Sequence, residues 1–257
     1  MRYQSTTGLP VEQVTELTAR IAQILHSRTV RPGRPAVLGL FKQVVLTLTL
    51  LRQNLNQMAV GDLFGVSQPT VSRTYRRIVP LIEEATCLHA PGELVDLVRG
   101  RVVIVDGTDV PTRAVAPVIT ENYSGKRHRH GLLIQVAATL EGTLLAVSEP
   151  VPGRRHDRRA LTDTRWEEAL EHACWIADPA YQGTTAITPI KRRPHHDLTD
   201  DRKTANRTIS TLRAAIERAI AHLKNWKILA TGYRARLTEL PNLIRTITRL
   251  EFYRLGW

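Results

Sequence analysis

Arg101-Val102-Val103-Ile104-Val105-Asp106-Gly107 is a continuous β-branched run that stops on Asp-Gly. Such a run has no polar face, so it reads as a central strand covered on both sides. Ala173-Cys174-Trp175-Ile176-Ala177-Asp178 repeats the arrangement further along, again closing on aspartate. Between them, residues 130–140 and 143–151 read as two strands joined at Glu141-Gly142, a two-residue hairpin signal, and residues 157–170 as a helix. Residues 186–190 supply a short fifth strand, and helices are predicted over 202–229 and 237–252. This order is compatible with an RNase H-like α/β fold: a mixed five-stranded sheet flanked by helices. In it the ends of the first and fourth strands lie side by side, and the long helix packs across the sheet.

Within that helix, Leu212, Ala215, Ile216, Ala219, Leu223 and Trp226 form an apolar stripe at helical spacing, with Arg213, Glu217 and Lys224 in the adjoining sector. Arg213 and Glu217 by themselves make an ordinary i,i+4 pair, worth a few tenths of a kcal/mol. Together with Asp106 and Asp178, Glu217 becomes the third member of a candidate carboxylate trio.

Residues 1–92 read as a separate, small all-α domain, and 93–257 as the α/β domain, with the boundary at Pro91-Gly92. Residues 11–26 repeat apolar positions at helical spacing; Arg31-Pro32-Gly33-Arg34-Pro35 breaks the chain, as a phosphate-contacting arm or a solvated loop; residues 38–51 form a buried helix. Residues 55–64, then Gly65-Val66-Ser67-Gln68-Pro69-Thr70-Val71-Ser72-Arg73, have the pattern of a helix-turn-helix with a glycine turn. Ser67 is predicted to cap the second helix, with Ala59, Leu63, Val66 and Val71 as the small core. Gln68, Thr70, Ser72 and Arg73 then stand where such a helix meets base edges, and Arg76 and Arg77 where it meets phosphates.

The chain has 257 residues, a formal charge of +12 and a pI near 10.4. Arg and Lys outnumber Asp and Glu in both parts, ten to five in residues 1–92 and twenty-six to nineteen in the remainder, so the basicity is no detachable tail. Such a balance favours phosphate-bearing partners, and the run Lys126-Arg127-His128-Arg129-His130 is placed to add phosphate contacts. Cys87 and Cys174 fit neither a zinc pattern nor a disulfide framework, and no membrane-length apolar run or secretory signal is present; a cytoplasmic, nucleoid-associated protein is expected.

A lone aspartate at a strand end is usually a cap or turn former. Three convergent carboxylates on a basic chain suit divalent cations, in two-metal sites roughly 3.5–4 Å apart; oxygen ligands favour Mg²⁺ or Mn²⁺. Asp109 is a second candidate for the first aspartate, set against a local or solvated role. His156-Asp157 invites comparison with metal-dependent phosphohydrolases, but the further ligands of that class find no place, which leaves a structural or DNA-positioning role.

Val105-Asp106-Gly107-Thr108, Tyr123-Ser124-Gly125-Lys126, residues 153–161 with His156-Asp157, Ala177-Asp178-Pro179-Ala180-Tyr181-Gln182-Gly183, and Glu217 with Lys224 together resemble the DDE transposases of the bacterial insertion-sequence "five" group and the Harbinger-like DDE superfamily endonucleases. The resemblance spans most of the chain. It implies a catalytic, metal-binding triad of Asp106, Asp178 and Glu217 and cut-and-paste DNA transposition. The implied partners are double-stranded DNA, both terminal inverted repeats and target, and a second subunit in the synaptic complex. The family's signature at the glutamate, Tyr, two residues, Arg, three residues, Glu, six residues, Lys, is matched by Arg213, Glu217 and Lys224, both basic residues serving phosphates; Ser210 stands at the tyrosine position. A DNA-binding regulator with an inert nuclease domain, and a nuclease without strand transfer, are the alternatives.

Overall fold

The computed structural model describes residues 3–28, 36–89, 92–113, 120–192 and 197–256. Arg31 to Pro35, read above as a possible arm, lie outside the described residues, as do Arg193 to His196. Two compact units divide the chain.

The first unit is helical: α1 (Tyr3–Thr7), α2 (Val11–Ser27), α3 (Leu40–Gln53), α4 (Gln57–Phe64) and α5 (Gln68–Ala85). Helix α3 is buried without interruption from Gln43 to Leu51. A helix this enclosed must satisfy its polar side chains internally, and it does. Thr47 and Thr49 donate to carbonyls one turn back, and Gln43 donates to the Leu38 carbonyl at 2.6 Å.

The helix-turn-helix is present, with two corrections to its expected interior. Ala59 and Leu63 are exposed, and the buried positions of α4 are Val60 and Gly61; Val60 and Val71 pack with Leu38, Leu46 and Leu50, flanked by Phe64, Val66 and Tyr75. The reason lies in Gly61, whose Cα stands so near the turn that a Cβ would come 2.6 Å from the Val66 carbonyl oxygen. That close approach turns Val60 and Gly61 inward and rotates Leu63 out. Ser67 occupies the N-cap position with extended φ and ψ, but its hydroxyl pairs with Thr70 Oγ1 at 3.1 Å rather than with a backbone amide. At the preceding helix the cap forms normally, Asn56 accepting from the Ala59 amide.

The division of the chain also differs from a single cut near residue 92. Residues 223–231 and 242–257 belong with the N-terminal helices. Trp226 explains part of this: it is fully buried, donates to Glu251 Oε2 at 3.0 Å, and lies under the Arg52 guanidinium. Glu251, 1 % exposed, is in turn held by Arg254. A buried indole N–H and a buried carboxylate each need a partner, and here each is the other's.

The second unit comprises residues 91–222 and 232–241. Its elements are α6 (Leu94–Val98), β1 (Val102–Pro111), β2 (Tyr123–Ser124), β3 (Arg129–Thr139), β4 (Leu144–Val147), β5 (Val151–Pro152), α7 (Asp157–Asp163), α8 (Trp166–Leu170) and β6 (Cys174–Ile176). Then comes α9 (Asp200–Lys224), followed by α10 (Leu240–Leu255), most of which lies in the first unit. Among the described residues the sheet is mixed, as expected, but has six strands in the order β2-β3-β1-β6, with β4 and β5 also on β3. Residues 186–190 contribute only a bridge at Ile187. The helix predicted over 157–170 is two, broken at Arg165, whose φ of 59° no continuous helix allows. One face of the sheet is covered by α6, α7 and α8 through a core containing Val103, Val105, Leu161, Trp166, Trp175 and Tyr181.

Strand β1 does not stop at Asp106. It pairs antiparallel with β3 as far as Pro111, while its parallel pairing with β6 ends at Ile104 and Ile176. Among the described residues no helix is long and apolar enough to cross a membrane.

Replacing Gly61 with alanine is expected to destabilise the protein by about 1–3 kcal/mol, because the added methyl meets backbone that cannot step aside. Urea unfolding of the variant checks this, and Gly65→Ala, at an open left-handed position, tests strain without overlap.

Candidate active site

Parallel register fixes the first two acidic residues. With Ile104 opposite Ile176, continuing the count by two residues sets Asp106 level with Asp178, just where the strands stop pairing. Both are half-buried. Asp106 Oδ1 accepts from the Gly107 amide at 2.8 Å, and Oδ2 lies 3.4 Å from Arg213 Nη2 on α9. Asp178 caps the short turn Pro179–Tyr181 by accepting from the Ala180 amide at 2.8 Å, the ordinary role of an aspartate after a strand, and keeps a second oxygen for other use.

Burial pushes the Asp106 carboxyl up to about 6. Arg213 and the Gly107 amide act against that rise, and the charges of Asp178 and Asp157 add to it. The Arg213 Nε is buried and takes no partner among the described residues. The guanidinium meets the carboxylate through Nη2 alone, and the unpartnered Nε is closed to solvent.

Glu217 is exposed, one helical turn beyond Arg213. The residue of α9 that touches Asp106 is therefore Arg213. Among the described residues, no group of three His, Cys, Asp or Glu side chains is close enough to hold a metal ion. Asp106 and Asp178 are brought together; the trio with Glu217 is not assembled as a closed cage. Lys224 donates to the Leu229 carbonyl at 3.1 Å, at the C-terminal end of α9.

Asp109, the rival for first aspartate, is only 7 % exposed and bound by Arg127 and by Arg129, the latter at 2.6 Å. Its carboxylate is committed to closing the turn between β2 and β3 onto β1. Lys126, in the same turn, is exposed.

In the helix-turn-helix, Gln68, Arg73, Arg76 and Arg77 are exposed, and Thr70 and Ser72 half-buried. Gln68 donates to Gln57 at 2.6 Å and Arg77 to Gln43 at 2.7 Å, so both would exchange internal bonds for any made to DNA.

The residue that sequence reasoning set aside is Asp157. It opens α7 half-buried, with its Oδ1 where a Cβ on Gly107 would stand. Burial raises its carboxyl above the ordinary range, against the pull of Lys126, and Asp178 adds to the rise. The available signal was the Asp-Gly at 106–107: a glycine inside a strand often marks a close approach by another group.

A mixed sheet with two level aspartates, behind a helix-turn-helix on a basic chain, defines a DNA-processing protein with an acidic centre. Comparison with known proteins agrees. Residues 105–251 match the DDE superfamily endonuclease family, and residues 36–87 match the helix-turn-helix of DDE superfamily endonuclease. A Streptomyces albus G protein carrying the name of a transposase for insertion sequence element IS112 is 32% identical over 202 residues, 78% of this chain and 75% of that protein. A Microchaete diplosiphon protein similarly named for element IS702 is 28% identical over 234 residues, 86% of this chain and 84% of its own length. No solved structure matches. The chain belongs to the DDE superfamily endonucleases.

The Asp106 carboxyl, raised in the folded state from 3.8 to about 6, makes the folded protein bind protons more tightly than the unfolded chain. The group's contribution is thus favourable at low pH and is lost as pH rises through that interval, a loss of about 3 kcal/mol at about 1.4 kcal/mol per pH unit. In EDTA, Asp106→Asn is expected to be more stable than the parent at about pH 7 and to lose that advantage toward about pH 4; urea midpoints across pH check it.

Proposed function

We propose that this protein is the transposase of an insertion sequence: it cuts DNA at the element's ends and joins the freed 3′ ends to a target. The observation that carries the reading is the shared level of Asp106 and Asp178 on neighbouring parallel strands, with Arg213 on the first. In our reading the mixed sheet is RNase H-like, and Glu217 completes the catalytic set.

The residues fit a divalent cation. The donors facing the site are carboxylate oxygens, and Asp106 ionises only against the cost of burial, which a bound cation would offset. Asp106, Asp178 and Glu217 would hold Mg²⁺ or Mn²⁺, two ions in our reading. When bound, such ions polarise the phosphodiester and stabilise charge on the attacking and leaving oxygens.

The chain's own side chains do the rest. Arg213 neutralises Asp106 in the free protein and would turn its terminal nitrogens to a phosphate oxygen of the DNA end. Lys126 and Lys224 would add phosphate contacts, Lys224 by exchanging its carbonyl bond. Water attacks the phosphodiester in line and expels the 3′ oxygen; that hydroxyl then attacks a target phosphodiester, so one P–O bond forms for each broken. In the helix-turn-helix, Gln68, Thr70, Ser72 and Arg73 would read base edges of the terminal inverted repeats, while Arg76 and Arg77 take phosphates. Two ends must be held together, which calls for a homodimer.

Cleavage of a duplex carrying the element's own end, in Mg²⁺ or Mn²⁺, tests the reading. Asp106→Asn, Asp178→Asn and Glu217→Gln are each expected to lower cleavage by at least about 10²-fold while leaving end binding in a gel shift unchanged. Cleavage surviving all three would overturn the assignment. Pre-cut ends with target plasmid separate a transposase from a nuclease, since only a transposase yields joined product.

A further inference from the structure

Gly107 leaves a notch on β1, and three observations meet there. The Asp157 carboxylate occupies the space a side chain at position 107 would need, and it accepts no hydrogen bond among the described residues. Gln135, directly across from Gly107 on β3 and fully buried, has its Nε2 without a partner, 3.3 Å from that same point. Its Oε1 accepts from the buried Tyr181 hydroxyl at 2.5 Å, and Tyr181 closes the turn that Asp178 caps.

The notch therefore joins the two site aspartates from behind. Gly107 follows Asp106 in the strand; Tyr181 bonds through its amide to the Asp178 carbonyl at 3.1 Å. Adjacent strand residues point to opposite faces, so Asp157, on the Gly107 side, backs β1 while Asp106 faces α9. Asp157 still acts on both aspartates through its charge. A desolvated carboxylate kept close to two others costs folding energy, and an apolar residue would avoid that cost. Its presence is accounted for if the charge serves a cation.

Resting on the reading of Asp106 and Asp178 as metal-holding residues, we infer that Asp157 is a positioning residue of the centre. Seated in the Gly107 notch beside the Gln135 amide, it strengthens divalent-cation binding at Asp106 and Asp178 without being one of the ligands. Residues that support metal ligands in this way typically govern affinity on the order of 10- to 100-fold.

Mn²⁺ titration of the full chain without DNA, followed by electron paramagnetic resonance of the free ion, is the direct readout; Mn²⁺ dependence of end cleavage is the second. Asp157→Asn keeps the shape and removes the charge. It is expected to weaken Mn²⁺ binding at least about 10-fold, to raise the Mn²⁺ concentration for half-maximal cleavage equally, and to recover cleavage at saturating Mn²⁺. Gly107→Ala retains every charge but displaces the carboxylate, and should shift affinity in the same direction. In EDTA, Asp157→Asn should melt no lower than the parent, which excludes misfolding as the cause. Unchanged Mn²⁺ affinity in Asp157→Asn, with binding abolished in Asp106→Asn, would overturn the inference and leave the proposed site standing. Unchanged affinity in both would overturn the site itself.

Discussion

Three residue pairs of parallel ladder, Val102 to Ile104 against Cys174 to Ile176, hold the centre together. Parallel strands need a crossover, and everything from β2 to α8 is enclosed between the two partners. The pairing is short, and its shortness matters as much as its register. Had β6 continued beside β1, its backbone would cover the edge of β1 next to Asp106. Ending at Ile176 frees the edge of β1 beyond Ile104, and the chain turns away at Pro179, where the missing N–H and the Asp178 cap both favour a turn.

This arrangement opposes itself electrostatically. Burial, not the neighbouring charges, is the larger influence on Asp106, and Arg213 offsets only part of it. The sheet supplies rigidity enough to hold groups that would otherwise separate: β1 is bound on both sides up to Ile104 and on one side to Pro111. Asp109 shows the contrasting solution on the same strand, fully ion-paired and thereby closed to other chemistry.

Much of this was legible in the residues. The β-branched run before Asp106 and its counterpart before Asp178 marked the two neighbouring strands, and α3 declared itself by its high apolar content. The stripe of α9 was legible too: Ala215, Ile216, Ala219 and Leu223 are all buried. What was hidden depended on contacts between distant parts of the chain. The continuation of β1 past Asp-Gly comes from β3, a partner that local propensity does not see. Likewise the phase of α4 follows from Gly61 touching the turn, and the seat of Asp157 from the missing side chain at Gly107. Neither is an amphipathic pattern. Glu217 illustrates the reverse: spacing identifies it, but spacing along a helix says nothing of how far its carboxylate stands from a strand.

The helical unit is built from segments on both sides of the sheet-forming region, and this orders its history. Its first helices leave the ribosome before the sheet-forming region, yet the indole of Trp226 and the Glu251 that satisfies it are made only after it. At synthesis rates of roughly 5–20 residues per second, the helix-turn-helix waits on the order of ten seconds with part of its unit's interior missing. A message cut short anywhere in the sheet-forming region would therefore yield a helix-turn-helix whose supporting interior is left unfinished.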